Sequence, residues 1–117
     1  MNIEELRDYC LAKPATSEGM PFDDEVLVFK VAGKMFALVN INKFESINLK
    51  CDPDEAIELR AQYPEVKPGY HMSKKHWNTV EFGGNITTKL LKKWIDDSYL
   101  LIAQKLPLKT RRELGIK

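Results

Sequence analysis

Apolar residues recur at helical spacing in two stretches, one near each end of the chain. Asn2 is placed to cap the first helix, and Pro14 ends it. The last helix is the longest, with Thr87 or Thr88 as its cap and Pro107 after its end. The apolar face of the first helix comprises Ile3, Leu6 and Cys10. The apolar stripe of the last comprises Leu91, Trp94, Ile95, Ser98 and Ile102.

Between these helices the pattern changes to short runs rich in β-branched and aromatic residues, which predict five strands. A turn at Gly33-Lys34 makes the first two a hairpin, and a second hairpin is predicted to close around Ser73-Lys74-Lys75. A short helix separates the two groups, beginning at Asp52-Pro53 and ending at Tyr63-Pro64. Residues 15–21 are expected to form a loop. The predicted strands cover 26–31, 36–41, 46–51, 70–72 and 76–82.

The element order predicts a single domain over residues 1–117, of the α+β class. We expect a two-layer fold with order α-β(3)-α-β(2)-α, in which helices cover one face of a five-stranded antiparallel sheet. The shared apolar periodicity predicts that the last helix packs on the strands. The helix residues concerned are Leu91, Trp94, Ile95 and Ile102, and the strand residues are Phe29, Val31 and Leu38 or their neighbours.

Length and composition agree with one ordinary globular domain. A chain of 117 residues is too short for two independent cores, and a hydrophobic content of 44% argues against disorder. No apolar run approaches the roughly 20 residues that span a membrane, and the acidic start lacks the features of a signal peptide. Cys10 and Cys51 fall on apolar sides of their segments as free thiols, which favours the reducing cytoplasm.

The charge is small overall but unevenly distributed. Residues 1–65 carry seven basic and thirteen acidic side chains, whereas residues 66–117 carry eleven basic and four acidic ones. The simpler interpretation is that the two halves interleave in space and largely cancel. The alternative is a basic face built mostly by the second half.

Motifs for catalysis or metal binding are missing from the sequence. The soft ligands Cys10, Cys51, His71 and His76 form no local pair of the kind that zinc sites use. There is no nucleophile elbow, and neither Gly33-Lys34 nor the Gly83-Gly84 pair has the spacing of a phosphate-binding loop. We therefore predict no catalytic residue, no metal, no cofactor and no enzymatic activity, leaving room only for chemistry without a recognisable motif.

The most unusual stretch is 67–79, in which aromatic residues alternate with lysine and histidine. Such interleaving suits a nucleic-acid surface, since bases stack on aromatic rings and phosphates contact cations. The strand pattern around Trp77 nevertheless favours a structural role for that residue in the core. Lys92 and Lys93 are expected to pair with Asp96 and Asp97. The remaining candidate cations are Lys34, Lys74, Lys75, His76, Lys109, Arg111 and Arg112.

The stretches 68–72 and 75–80, which read PGYHM and KHWNTV, resemble the signature of the MmcQ/YjbR-like family. Further support comes from 29–31 with 33–37, from 97–99 and from Leu106-Pro107, so that the resemblance runs in order along nearly the whole chain. The resemblance implies an α-β(3)-α-β(2)-α fold similar to that of secretion chaperones. It also implies DNA binding by a double wing, because the two hairpins are viewed as wings.

Two functions of different classes follow from these observations. One is a weak, largely sequence-independent DNA-binding module that uses the second hairpin and the basic tail. The other is a protein-binding adaptor that uses the face of the sheet, as the chaperone-like fold suggests. Salt distinguishes the two, because binding to phosphates weakens steeply with salt and an apolar interface responds little. A monomer is slightly favoured, and the sequence indicates no association with membranes.

Overall fold

A computed structural model describes residues 1–116 of the chain. Within this range the helices are α1 (Ile3–Leu11), α2 (Pro53–Gln62), α3 (Thr88–Ala103) and α4 (Leu108–Glu113). The strands are β1 (Thr16–Gly19), β2 (Val26–Val31), β3 (Lys34–Asn40), β4 (Ser46–Lys50), β5 (Val66–Pro68) and β6 (Trp77–Glu81). No helix among these is long and apolar enough to cross a membrane.

All six strands form one antiparallel sheet with the order β1-β2-β3-β4-β6-β5. The α+β class and the antiparallel sheet are confirmed, but the prediction of five strands was wrong. The extra strand is β1, which lies in the segment expected to be a loop. It pairs along β2 from Thr16 opposite Val31 to Gly19 opposite Val28. The observed order is therefore α-β(4)-α-β(2)-α-α rather than α-β(3)-α-β(2)-α.

The helix starts follow from the capping residues that the sequence supplies. The side chains of Asn2, Asp52 and Thr87 each accept hydrogen bonds from backbone N–H groups in the first turn of α1, α2 and α3 respectively. Pro53 occupies the first turn of α2, where its missing N–H costs nothing. The predicted caps are thus confirmed.

The main core lies between the sheet and its helices. Leu6 and Cys10 of α1 are fully buried in it. The predicted stripe of α3 is buried as well, and it shares this cluster with Phe29 and Val31. Leu38 was placed wrongly, because it faces the opposite side of the sheet. There it forms a second cluster with Val28 and Trp77, to which no helix residue within 1–116 contributes. We call this side the open face.

The second hairpin differs from the prediction in its register. Its strands are β5 and β6, with Val66 opposite Val80 and Pro68 opposite Asn78. Residues 70–72 are not a strand but part of a connection that runs from 69 to 76, which we call the 69–76 loop. The turn of the first hairpin is also shifted by one residue. Ala32 and Gly33 form it with positive φ angles of 49° and 80°, and Lys34 begins β3.

Candidate functional site

A β-bulge in β3 shapes one end of the sheet. Phe29 pairs with Ala37 and the next residue of β2, Lys30, pairs with Met35, so Phe36 is the extra residue. Phe36 and Ala37 consequently both point into the main core, where both are fully buried. Because the bulge inserts one residue, the side chains of β3 alternate between the two faces of the sheet again on its other side. Met35 therefore lies on the open face.

Beyond the bulge, β3 and β4 no longer pair with each other. Their last paired residues at this end are Ala37 and Leu49. The hydroxyl of Ser98 from α3 occupies the gap: it donates to the carbonyl of Phe36 at 2.6 Å and accepts from the N–H of Lys50 at 2.9 Å. Ser98 therefore satisfies two backbone groups that the diverging strands leave free.

The divergence creates a groove with a volume of about 530 Å³. Because neighbouring strands are antiparallel, the start of β3, the end of β4 and the start of β6 all lie at this end of the sheet. Lys34, Lys50 and Trp77 occupy those three positions. The groove is lined by Pro21, Phe22, Lys30, Gly33, Lys34, Met35, Lys50, Trp77 and Ile102.

Three cations face this groove, Lys30, Lys34 and Lys50. None of them takes part in an ion pair among residues 1–116, in contrast to Lys67 and Lys93, which pair with Glu81 and Asp97. Their positive charge is therefore not neutralised locally. An unpaired group of ammonium ions beside a concave apolar surface is suited to an anionic ligand.

Aromatic side chains take two different positions at the groove. Trp77 is buried, with 7% of its surface exposed, so its predicted structural role agrees with its place in the second cluster. Phe22 stands at the rim with 63% exposed. Only the exposed ring offers a face to a bound molecule.

The 69–76 loop directly precedes Trp77 of the groove and is held onto the open face by a polar network. The N–H of Tyr70 donates to the hydroxyl of Thr79 at 2.9 Å, and that hydroxyl donates to Oδ1 of Asn48 at 2.6 Å. Nδ2 of Asn48 in turn donates to the carbonyl of Tyr70 at 3.3 Å. The ring of Tyr70 stays 67% exposed and lies against His71, whose backbone has a φ angle of 59°.

Arg60 of α2 holds the same loop from the other side of the sheet. Its Nε donates to Oδ1 of buried Asn78 at 2.7 Å, and its Nη2 donates to the carbonyls of Lys74 and Trp77. Lys74 also donates from Nζ to the carbonyl of Gly69 at 3.1 Å. The shape of this loop thus depends on side chains from α2, β4 and β6.

The residues predicted to bind nucleic acid fall into three places. Lys34 lies in the groove. Lys74, Lys75 and His76 are exposed in the 69–76 loop, directly before Trp77 of the groove. Lys109, Arg111 and Arg112 lie on α4, and Nε of Arg111 is buried without a hydrogen-bond partner among residues 1–116. Within 1–116 no hydrogen bond or ion pair joins α4 to the 69–76 loop.

Lys30, Lys50 and Phe22 are the groove residues that the sequence analysis missed. Lys30 and Lys50 alternate with buried residues in β2 and β4, so their positions on the open face were readable. Their convergence depends on the bulge, and the only trace of it in the sequence is the loss of alternation at Phe36-Ala37. The groove cations come from the first half of the chain, whereas the sequence analysis looked for them mainly in the second half.

The two cysteine thiols and the hydroxyl of Tyr9 contribute to the packing of the fold rather than to the groove. Burial raises the pKa of the Cys10 thiol to about 12 and that of Cys51 to about 11, the latter also through Glu55 and Asp52. Tyr9 donates to Asp96 at 2.7 Å, and burial raises its pKa to about 12. Asp96 therefore binds α1 rather than the predicted Lys92, while the Lys93–Asp97 pair is present. Residues 1–116 contain no cluster of three metal ligands.

Comparison with known proteins places the chain in a family. The model of the family described as YjbR matches residues 11–101, which is well over half of the chain. The chain belongs to the YjbR family. The resemblance seen in the sequence is thereby confirmed.

Members of the YjbR family in Escherichia coli are similar over almost their whole length. The chain is 37% identical to the uncharacterised protein YbdF of strain O157:H7, covering 95% of this chain and 92% of YbdF. It is 33% identical to the uncharacterised protein YjbR of strain K12, covering 97% and 98% respectively. These relatives carry no described activity in their names.

Solved structures agree with the fold. The crystal structure of Deinococcus radiodurans protein DR2400, described as a DUF419 domain, aligns with a TM-score of 0.92 at 40% identity, covering 99% of this chain and 89% of that one. A Pseudomonas syringae protein aligns with a TM-score of 0.71 at 31% identity, covering 86% of this chain and 98% of its own. The fold described above is therefore shared by this YjbR-family member and proteins from other bacteria.

Proposed function

We propose that this protein is a non-enzymatic DNA-binding domain whose affinity is weak and largely independent of sequence. The observation that carries the proposal is the convergence of Lys30, Lys34 and Lys50 on one groove without ion-pair partners among residues 1–116. Lysine ammonium groups are point charges that bind phosphates. The first predicted wing, at the β2–β3 turn, contributes Gly33 and Lys34 to the lining of the groove, and the second, in the 69–76 loop, leads directly into Trp77 of that lining.

The chemistry of the lining explains why sequence is not read. Base edges are recognised mainly by arginine, asparagine and glutamine side chains that make paired hydrogen bonds. The groove offers lysine and apolar side chains instead. Its contacts are accordingly to the backbone of the nucleic acid, and these position a protein without specifying a base.

The other predicted cations lie outside the lining of the groove, and we propose that they add phosphate contacts to it. Lys74, Lys75 and His76 precede Trp77, so they lie next to the groove in the chain, and α4 supplies Lys109, Arg111 and Arg112 after α3. Together they make about three to five phosphate contacts. On duplex DNA each contact adds about −0.9 to the slope of log affinity against log salt concentration. Because both cysteines are free thiols, we assign this activity to the cytoplasm.

Charge reversal at Lys34 tests the proposal. We expect Lys34→Glu to weaken binding to a labelled mixed-sequence DNA pool, both native and heat-denatured, and to flatten its salt slope by about one. The matched control is Lys43→Glu, which changes charge equally at an exposed turn at the opposite end of the same sheet. Equal losses in both variants, or no binding to either DNA pool at low salt, would contradict the proposal.

A protein-binding adaptor is the second candidate, favoured by the exposed rings of Phe22 and Tyr70 on the open face. An apolar partner would bury these rings together with the second cluster. The salt titration separates the two functions, since an apolar interface keeps its affinity where phosphate binding is lost.

A further inference from the structure

We infer that the groove takes a single strand of nucleic acid rather than a duplex, with phosphates on Lys30, Lys34 and Lys50 and unpaired bases against Phe22 and Tyr70. The inference rests on the proposed function and names the strand form that the same site binds. Three features of the fold lead to it.

The first feature is that neither predicted wing projects as a free ribbon. A two-stranded β-ribbon reads a duplex by entering its major groove. Here β1 runs beside β2 as far as the turn, since Thr16 pairs with Val31 and the N–H of Ala32 donates to the carbonyl of Ala15 at 3.0 Å. The other wing, the 69–76 loop, is bound to the sheet through Asn48 and Arg60. Both predicted wings therefore lie against the sheet, and neither projects far enough to enter the major groove of a duplex.

The second feature is the size and lining of the groove. Its volume of about 530 Å³ is in the range of small-ligand sites, which is large enough for nucleotides and far too small for a double helix. The cations are mixed with apolar surface from Met35, Phe22 and the edge of Trp77. Duplex DNA keeps the faces of its bases stacked inside the helix, so an exposed ring at the groove could not stack on them.

The third feature is a pair of exposed rings, Phe22 in the lining of the groove and Tyr70 outside that lining in the 69–76 loop. Phe22 lines the groove with Lys30 of β2, and the backbone of Tyr70 lies over β4 and β6 through its bonds to Asn48 and Thr79. Three strand spacings separate β2 from β6 in the sheet, or about 14 Å. That distance accommodates about four nucleotides at the stacked spacing of a single strand. Proteins that bind single strands combine such rings with a basic track.

The test compares labelled oligonucleotides of one mixed sequence as single-stranded DNA, single-stranded RNA and duplex DNA, by fluorescence anisotropy over a series of salt concentrations. We expect both single strands to bind more tightly than the duplex, with a log–log salt slope of about −2 for three phosphates. A higher affinity for single-stranded RNA than for single-stranded DNA, or the reverse, shows which of the two the groove prefers. Either result supports the inference.

Substitution of Phe22 provides the second readout. We expect Phe22→Ala to weaken single-strand binding about tenfold without changing the salt slope, and Phe22→Tyr to retain it. Ile57→Ala is the control, because Ile57 on α2 is as exposed as Phe22, at 63%, and lies away from the groove.

The outcomes separate the two proposals. Duplex binding that equals or exceeds single-strand binding, or an unchanged affinity in Phe22→Ala, overturns the single-strand inference and leaves DNA binding intact. Failure of all three nucleic acids to bind at low salt removes the proposed function itself.

Discussion

At the scale of single residues, the clearest constraint is the approach of Gly69 to Trp77. A Cβ atom added to Gly69 would lie 2.7 Å from Cβ of Trp77 and 2.9 Å from its carbonyl oxygen. The N–H of Gly69 also donates to that carbonyl at 2.9 Å, so neither backbone can move away without losing the bond. The glycine is required for close approach rather than for an unusual φ angle.

Gly69→Ala should accordingly destabilise the protein by about 1–3 kcal/mol, the usual cost of overpacking. The free energy of unfolding in urea measures this directly. Gly19→Ala is the control, because Gly19 lies in β1 with no atom within 4 Å of its Cβ position and without a positive φ angle. Similar free energies of unfolding for the two variants would show that Gly69 and Trp77 move apart to accommodate the added methyl group without a measurable loss of stability.

The same pair illustrates what can be predicted for individual residues. The strand pattern around Trp77 favoured a structural role for it in the core, and Trp77 is buried. The role of Gly69 could not be predicted, since it depends on which residue lies opposite across β5 and β6. The sequence places those residues eight positions apart without giving the register.

At the scale of elements, the 69–76 loop has few apolar contacts of its own and depends on hydrogen bonds from its neighbours. Arg60 of α2 contributes one of these bonds, to the carbonyl of Lys74, and also donates to Asn78 and Trp77 of β6. Removing the guanidinium would leave buried Oδ1 of Asn78 without this donor. Each unsatisfied buried acceptor costs about 1–3 kcal/mol.

We therefore expect Arg60→Met to lower the free energy of unfolding by about 1–3 kcal/mol and to increase amide hydrogen exchange selectively in the 69–76 loop. Arg7→Met is the control, because Arg7 makes its ion pair with Glu18 at the surface, where solvent screens the interaction. Unchanged exchange in the loop of Arg60→Met would show that the open-face network around Asn48 holds it alone.

Elements with a buried apolar face were predictable, and the missed one lacks such a face. The starts of α1, α2 and α3 followed from capping residues, and β2 to β4 from apolar runs. In contrast, β1 reads Thr-Ser-Glu-Gly and alternates only between exposed and half-buried positions. It is held by its ladder with β2 at the edge of the sheet, and backbone pairing leaves no mark in side-chain pattern.

At the scale of the whole molecule, the candidate site is a product of tertiary structure. Lys30, Lys34 and Lys50 come from three strands, and they share a groove because Phe36 forms a bulge and Ser98 of α3 fills the resulting gap. The total charge of +1 gives no sign of this group. Family membership and the antiparallel sheet could be predicted from motifs and patterns, whereas the position of the groove required the register of every strand.

Stability at alkaline pH is also a property of the whole fold. Substitution of Cys10 allows the contribution of one buried thiol to be measured separately. Burial between α1 and the sheet raises the pKa of this thiol from 9.0 to about 12. A folded-state pKa above the unfolded value means that its stabilising contribution is complete below pH 9. The contribution is then lost as the pH rises towards 12, at about 1.4 kcal/mol per pH unit, because the unfolded chain ionises first.

Cys10→Ala should be less stable than the wild type by about 1 kcal/mol at pH 7, since it loses a buried sulfur. The difference should shrink and then change sign between pH 9 and 10.5, because the variant lacks a thiol that ionises on unfolding. Urea unfolding under reducing conditions at both pH values measures this change, and titration of lysines and tyrosines cancels between the two proteins. Cys51→Ala should show a change of similar size in this range, because the folded-state pKa of Cys51, about 11, also lies above it. A constant difference across this range would show that Cys10 ionises as readily in the folded protein as in the unfolded chain.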